Sequence, residues 1–184
     1  MAELVGTFFL TLAALLGGTP YAVGLTLAAF VYTIGEASGC HLNPAVTIGL
    51  ISNQSIQFST GVFYIIAQIV GAILARLLSN LVGNLGLDYQ AGSSFGEFFG
   101  FGLLMLTVVA VYEKNVPKSG SGIAIGAALI SGLLITKGIL NPAIAIAMNQ
   151  TVSPAIWAPA FSAVLFTMLF KLFSKQAAPS KNES

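Results

Sequence analysis

The segment from Gly39 to Leu50, GCHLNPAVTIGL, places Asn43 and Pro44 ahead of a short apolar run. Asparagine is a strong N-cap residue, and proline is favoured at the first helical position because no N–H is needed there. The segment therefore predicts a helix that starts at Asn43. Its apolar run ends at Ile51, whereas a spanning helix needs roughly 20 apolar residues. We expect a half-helix that enters a membrane and stops inside it.

The rest of the chain is much more apolar than a water-soluble domain. Of its 184 residues, 56% are hydrophobic and 7% are charged, whereas soluble domains carry about 25% charged residues. Seven basic and six acidic residues cannot coat a water-facing surface. We therefore expect an all-α integral membrane protein. The formal net charge of +1 argues against a nucleic-acid partner.

The Asn-Pro-Ala triplet occurs twice, and its copies divide the chain into two similar halves. Asn43-Pro44-Ala45 returns as Asn141-Pro142-Ala143, and Glu3-x-x-Gly6 returns as Glu97-x-x-Gly100 at nearly the same offset. Three helices per half is an odd number, so the halves insert with opposite topology. Inverted repeats of this kind place the working site near the membrane midplane, at the ends of broken helices.

Six spanning helices are expected besides the two half-helices. They cover residues 3–17, 21–36, 58–81, 94–113, 121–135 and 154–173, and the first is shorter than a typical span. The two repeats, about 1–83 and 94–173, form one channel domain, 1–173, and a polar, disordered tail follows at 174–184. Most basic residues fall on one side of the predicted membrane, namely Lys114, Lys118, Lys171, Lys175 and Lys181. The positive-inside rule makes that side cytoplasmic, and both termini with it.

A pore is the expected product of two half-helices that enter from opposite faces. Each helix N-terminus carries roughly half a positive charge, so two of them facing one point repel cations, including hydronium. Each Asn amide offers N–H donors to a passing oxygen. A water that accepts from both turns its hydrogens away from the centre, which interrupts the chain along which a proton would hop.

With these residues in view, the chain resembles the aquaporin, or major intrinsic protein, family. The stretches that carry the resemblance are Ala2–Leu10, Ser38–Thr47, Tyr64–Ala72 and Trp157–Phe161. The resemblance implies six helices plus two re-entrant half-helices and a homotetramer with a pore in each protomer. It also implies passive conduction of water or small neutral solutes such as glycerol and ammonia across a cell membrane, with no cofactor.

The selectivity filter implied by the resemblance is atypical. Family members commonly have Arg directly after the second Asn-Pro-Ala, where this short member has Ile144. The other filter positions fall on Val23, on Gly138, and on either Leu133 or Leu129, because a shortened loop leaves the helix-five position open. Such a filter would be apolar and wider than a strict water filter.

Lys137 supports two interpretations that the sequence leaves open. It lies in the shortened loop beside Gly138. Its ammonium group either hangs over the outer mouth in place of the missing charge or extends to the lipid headgroups.

Two acids and the residues before the first motif complete the candidate site. Carboxylates inside a membrane are functional by default, and the resemblance implies that Glu3 and Glu97 brace the half-helix loops. The alternative for Glu3 is a solvated terminal residue.

His41 is the only histidine, which excludes a multi-histidine metal site. The resemblance implies that it lines the inner pore beside Cys40, although either residue could also be packed in the interior.

Three other functions are alternatives to a water channel. They are a glycerol facilitator with little preference for water, a secondary transporter built from inverted repeats, and a junction protein with a closed pore. A transporter would need a coupling site in the membrane, for which Glu36 is the only further carboxylate candidate. An enzyme is disfavoured, because the sequence has no nucleophile–base pair, metal cluster or phosphate-binding loop.

Overall fold

The computed structural model describes residues 1–82 and 92–177, with side chains described as far as residue 174. These ranges contain eight α-helices and no strand. The helices are α1 (Ala2–Leu12, continued by one π-helical turn, Ala13–Gly17), α2 (Pro20–Ser38), α3 (Pro44–Ser52), α4 (Phe58–Val82), α5 (Ser94–Tyr112), α6 (Lys118–Thr136), α7 (Pro142–Ala147) and α8 (Pro154–Ala177).

Side-chain caps set several of the helix starts. Thr19 accepts a hydrogen bond from the N–H of Ala22 at 3.1 Å and precedes Pro20, the first residue of α2. Asn43 and Asn141 cap α3 and α7 in the same way, and each is followed by proline. The predicted role of the two motif asparagines as helix caps is confirmed.

The motif helices α3 and α7 are far too short to cross a bilayer. They have nine and six residues, or about 14 Å and 9 Å at the usual rise, against a hydrocarbon core of about 30 Å. Within the described ranges, α4, α5, α6 and α8 are long and apolar enough to span by length and composition. The helix over Ala2–Gly17 is a shorter apolar helix, and α2 is not among the four.

Helices related by the repeat pack in matching pairs. Helix α1 packs on α4 as α5 packs on α8, and α3 packs on α8 as α7 packs on α4. Helices α2 and α6, which are themselves related by the repeat, pack on each other. At that contact a Cβ added to Gly24 would lie 2.7 Å from the carbonyl oxygen of Gly126, and one added to Gly126 would lie 2.6 Å from that of Gly24. Two glycines thus allow the backbones of α2 and α6 to approach each other closely.

The C-terminal segment requires a correction. The tail predicted to be disordered from residue 174 is helical as far as Ala177, because α8 continues past Phe173. Lysine, glutamine and alanine are good helix formers, so this stretch extends the preceding helix. The remaining predicted tail, 178–184, and residue 83, the predicted end of the first repeat, lie outside the described residues.

Candidate functional site

The two Asn-Pro-Ala motifs meet through reciprocal hydrogen bonds. The Nδ2 of Asn43 donates to the carbonyl oxygen of Leu140 at 2.8 Å, and the Nδ2 of Asn141 donates to that of Leu42 at 2.9 Å. Each Oδ1 caps its own half-helix, at 2.9 Å from the N of Ala45 in the first case. Both asparagines are at least 96% buried. The structure therefore brings the starts of α3 and α7 together in the interior.

The residue before each asparagine has an unusual backbone. Leu42 and Leu140 have φ angles of 48° and 57°, in the left-handed region that non-glycine residues rarely adopt. Such conformations persist only where the surroundings hold them in place. Here two buried carboxylates do so, one for each loop.

Glu3 holds the loop that leads into α3. Its Oε1 accepts hydrogen bonds from Ser38 Oγ at 2.6 Å and from the N–H of His41 at 3.0 Å. Its Oε2 accepts from the N–H of Leu42 at 2.8 Å and from Gln68 Nε2 at 2.7 Å. The side chain is 2% exposed, so the alternative of a solvated terminal residue is wrong.

Glu97 makes the equivalent contacts in the second half. Its Oε1 accepts from the N–H of Ile139 at 2.7 Å and of Gly92 at 3.1 Å, and its Oε2 accepts from the N–H of Leu140 at 2.8 Å. It is fully buried. Gly138 lies so close that an added Cβ would be 2.8 Å from Oε1. The Glu97 carboxylate therefore leaves no room for a side chain at position 138.

A cavity of 10 Å³ beside the second motif, which we call the Val23 cavity, brings together the four predicted filter residues. Its lining consists of Ala14, Val23, Leu133, Gly138, Ile139, Ile144 and Met148. Of the two α6 candidates, Leu133 is in this lining and Leu129 is not. The volume is close to the roughly 10–15 Å³ that one water requires. Ile139 and Met148 also line the cavity, and the width of the filter stays a prediction.

Lys137 directly precedes Gly138 in the sequence but does not itself line the Val23 cavity. Its backbone ends α6 in the left-handed region, with φ 52° and its N–H bonded to Leu133 O at 2.8 Å. Its side chain is exposed. A role over the pore mouth stays a prediction.

A second cavity, of 20 Å³, lies beside the first motif, and we call it the His41 cavity. Its lining includes both Cys40 and His41 together with Asn43; the other lining residues are Leu10, Leu27, Gly39, Val46, Leu104, Val108, Tyr112 and Ile125. Cys40 and His41 are 5% and 2% exposed.

The hydrogen bonds around His41 indicate its tautomer. Thr47 Oγ1 lies 3.2 Å from Asn43 O, 3.0 Å from Gln68 Nε2 and 3.0 Å from His41 Nδ1. A hydroxyl has one hydrogen and two lone pairs. All three contacts are satisfied if Thr47 donates to Asn43 and accepts from Gln68 and from His41 Nδ1–H. His41 Nε2 is then an acceptor, and the Tyr112 hydroxyl donates to it at 2.8 Å.

A wider cavity of 380 Å³ adjoins the His41 cavity, and we call it the Glu36 vestibule. Gly39, Tyr112 and Ile125 line both. The Tyr112–His41 hydrogen bond therefore lies where the narrow cavity meets the vestibule. Glu36 forms an ion pair with Lys118 at the vestibule, and both side chains are about four-fifths exposed. This exposure is unlike that of a buried coupling site.

Several lining residues are not predictable from the sequence. Ala14 reaches the Val23 cavity from the π-helical turn after α1, for which the sequence carries no signal. Tyr112 pairs with a histidine 71 residues away. An aromatic residue at the end of a membrane helix gives no indication of such a partner.

Comparison with known proteins adds the decisive observation. Residues 10–169 match the family described as major intrinsic protein. The chain belongs to this family. Its members are membrane channels rather than enzymes.

Individual relatives of this family give the same assignment. The chain is 33% identical to aquaporin AqpM of Methanothermobacter thermautotrophicus, with 78% of each chain covered. It is 32% identical to the glycerol uptake facilitator protein-like 6 of Lactiplantibacillus plantarum, with 86% of this chain and 83% of the relative covered. Both alignments span most of the relative as well as most of this chain.

A solved family structure has the same fold. The X-ray structure of the aquaglyceroporin from Plasmodium falciparum matches with a TM-score of 0.74 and 19% identity, over 95% of this chain and 96% of that one. The predicted all-α fold class of the aquaporin type is confirmed, with four helices of the described ranges long and apolar enough to span a membrane.

Proposed function

We propose that the chain is a passive channel for water and small neutral solutes that excludes protons and other ions. The observation that carries the proposal is the pair of reciprocal bonds from Asn43 to Leu140 and from Asn141 to Leu42, at the junction of the two half-helices. A channel of this kind needs two opposed helix starts that are fixed relative to each other, and these bonds supply the fixation.

The asparagine amides are the proposed centre of the pore. Each amide has two N–H donors, one of which bonds the opposite loop. The second N–H of each is free to bond the oxygen of a passing water. The opposed helix starts add a positive potential that disfavours cations. A water held by both amides has its hydrogens directed away from the centre, so protons are not relayed.

The other residues have supporting roles in this proposal. Glu3 and Glu97 hold the two loops that position the asparagines. His41 and Cys40 line the passage on one side, and the Val23 cavity, with Leu133, Gly138 and Ile144, is the filter on the other. Both narrow cavities have volumes near that of one water, which supports passage in single file.

We further propose a single channel domain, 1–173, that forms a homotetramer in the cell membrane with both termini cytoplasmic. The inverted repeat and the concentration of lysines at one face support this arrangement. Cross-linking in membranes and protease protection of tagged termini test the tetramer and the orientation.

A glycerol facilitator is the second candidate, and the similarity to the glycerol uptake facilitator protein-like 6 of Lactiplantibacillus plantarum favours it. Stopped-flow light scattering on proteoliposomes separates the two. Shrinkage under sucrose measures water, and re-swelling under glycerol measures solute entry. Vesicles that shrink no faster than empty ones would refute the water channel.

The role of Lys137 is tested separately with a Lys137→Met variant. If its solute and ion preference were unaltered, Lys137 would not be part of the filter.

A further inference from the structure

Met148 differs from the other residues around the Val23 cavity in its exposure. The six others are buried, and those with side chains are at most 5% exposed. Met148 is half-buried and is the C-cap residue of α7. The next residue, Asn149, is exposed, and polar residues continue as far as Thr151. The Met148 thioether therefore lies where the cavity meets the polar surface of the protein.

The sequence contains five sulfur-bearing side chains, which differ in their access to water. Met105 is fully buried, and Cys40 is 5% exposed. Met1 is 93% exposed, and Met168 is 59% exposed on α8, a helix long and apolar enough to span the membrane. An exposed position on such a helix faces lipid rather than water. Met148 is the only one of the five that is both partly exposed and in the lining of the Val23 cavity, the His41 cavity or the Glu36 vestibule.

We propose that hydrogen peroxide oxidises Met148 to its sulfoxide and thereby lowers flux through the channel, an inference that rests on the proposed channel function and adds a means of regulating it. A lone pair of the thioether sulfur attacks one peroxide oxygen, and the O–O bond breaks. The hydroxide that leaves takes the proton from the newly bound oxygen and departs as water. The sulfur loses two electrons and the peroxide gains them. Methionine sulfoxide reductases reverse this oxidation.

Oxidation changes both the size and the polarity of the cavity lining. The cavity has a volume of 10 Å³, close to that of one water, so an added oxygen leaves less room. The sulfoxide oxygen is also a hydrogen-bond acceptor among side chains that are otherwise apolar. A water bonded to it leaves about 2- to 10-fold more slowly, because one net hydrogen bond contributes a factor of that size. In a passage that water crosses in single file, one retained water delays every water behind it.

The test uses proteoliposomes of the full chain, treated with hydrogen peroxide and then measured by stopped-flow light scattering under sucrose. We expect water permeability to fall by about 2- to 10-fold, in proportion to the fraction of Met148 sulfoxide. Mass spectrometry of peptides measures that fraction. Met148 should be oxidised before Met105 and Met168. Treatment with methionine sulfoxide reductases and dithiothreitol should restore the flux as the sulfoxide disappears.

Two variants at position 148 separate the chemistry of the sulfur from the shape of the side chain. Met148→Leu has no sulfur, so its flux after peroxide should equal its own flux before peroxide. Met148→Gln carries a permanent acceptor oxygen, and its untreated flux should be lower than that of Met148→Leu. Met168→Leu and Cys40→Ala are the matched controls. Both retain Met148, and peroxide should lower their flux by the same factor as in the unaltered chain.

The outcomes separate the inference from the function beneath it. Untreated, folded protein that conducts no water would contradict the channel function. Protein that conducts water and forms the Met148 sulfoxide with no loss of flux would overturn the inference alone. Equal inhibition of Met148→Leu, or loss of inhibition in Cys40→Ala, would do the same. So would oxidation of Met105 or Met168 ahead of Met148, or a flux that stays low once the Met148 sulfoxide has been reduced.

Discussion

The side chain of Asn43 is hydrogen-bonded at 2.8 Å to the carbonyl oxygen of Leu140, a residue 97 positions away in the other half of the chain. The equivalent bond of the second half runs from Asn141 to Leu42. Each motif therefore caps its own half-helix and binds the other motif's loop. In each asparagine, the Oδ1 of the side-chain amide caps the local helix and the Nδ2 of the same amide makes the long-range hydrogen bond.

Replacing Asn141 by alanine removes a helix cap and the bond to Leu42 together. We expect the free energy of unfolding to fall by about 1–3 kcal/mol, as lost caps and buried hydrogen bonds do. Thermal unfolding in detergent measures this change. Because an N–H donor is lost from the proposed pore centre, proton leak through proteoliposomes should rise relative to water flux. Asn115→Ala, in an exposed loop, is the control, and equal unfolding midpoints for the two variants would contradict the prediction.

Replacing Glu97 by glutamine keeps the shape of the side chain but halves its acceptor oxygens. The three N–H groups that face the carboxylate would then meet one oxygen and one NH₂ group. At least one buried donor loses its partner, which should destabilise the protein by about 1–3 kcal/mol. The control Glu36→Gln alters an exposed ion pair and should not measurably change the unfolding temperature. Equal losses in both variants would argue against a bracing role for Glu97.

A methyl group at Gly138 should disturb the Glu97 contacts. In Gly138→Ala the new Cβ would lie 2.8 Å from Oε1 and 3.0 Å from Cδ of Glu97, and overpacking of this kind costs about 1–3 kcal/mol. Gly120→Ala is the matched control, because the nearest atom to its added Cβ is Val116 Cγ1 at an ordinary 3.7 Å. Unfolding of the two variants under identical conditions should give a large loss for the first and none for the second.

Removing the hydroxyl of Tyr112 should widen the junction between the His41 cavity and the Glu36 vestibule. Tyr112→Phe loses the hydrogen bond to His41 Nε2, and we expect faster vesicle shrinkage per channel. The stability cost should be modest, about 0.5–1.5 kcal/mol. Tyr32→Phe removes a hydroxyl that bonds Ser119 O beside the wide vestibule, and its water flux should equal that of the wild type. Slower flux in Tyr112→Phe would contradict the prediction.

The sequence determines the features that depend on neighbouring residues. The caps at Asn43 and Asn141 and the short length of α3 and α7 follow from side-chain and proline chemistry within one or two helical turns. The repeat is visible as a duplicated motif, and the membrane location follows from composition. The family resemblance assigns residues 23, 138 and 144, with 133 or 129, to one filter, and the structure places 23, 133, 138 and 144 around a single cavity.

Only the tertiary structure decides how these parts meet. The bonds from Asn43 to Leu140, from Gln68 to Glu3 and from Tyr112 to His41 join residues 65 to 97 positions apart, and no local signal encodes them. Residues from the π-helical turn and from the end of α7 also line the Val23 cavity, and no local signal places them there. Capping and hydropathy act over a few residues of sequence, whereas the size and lining of a passage depend on how several helices pack around one space.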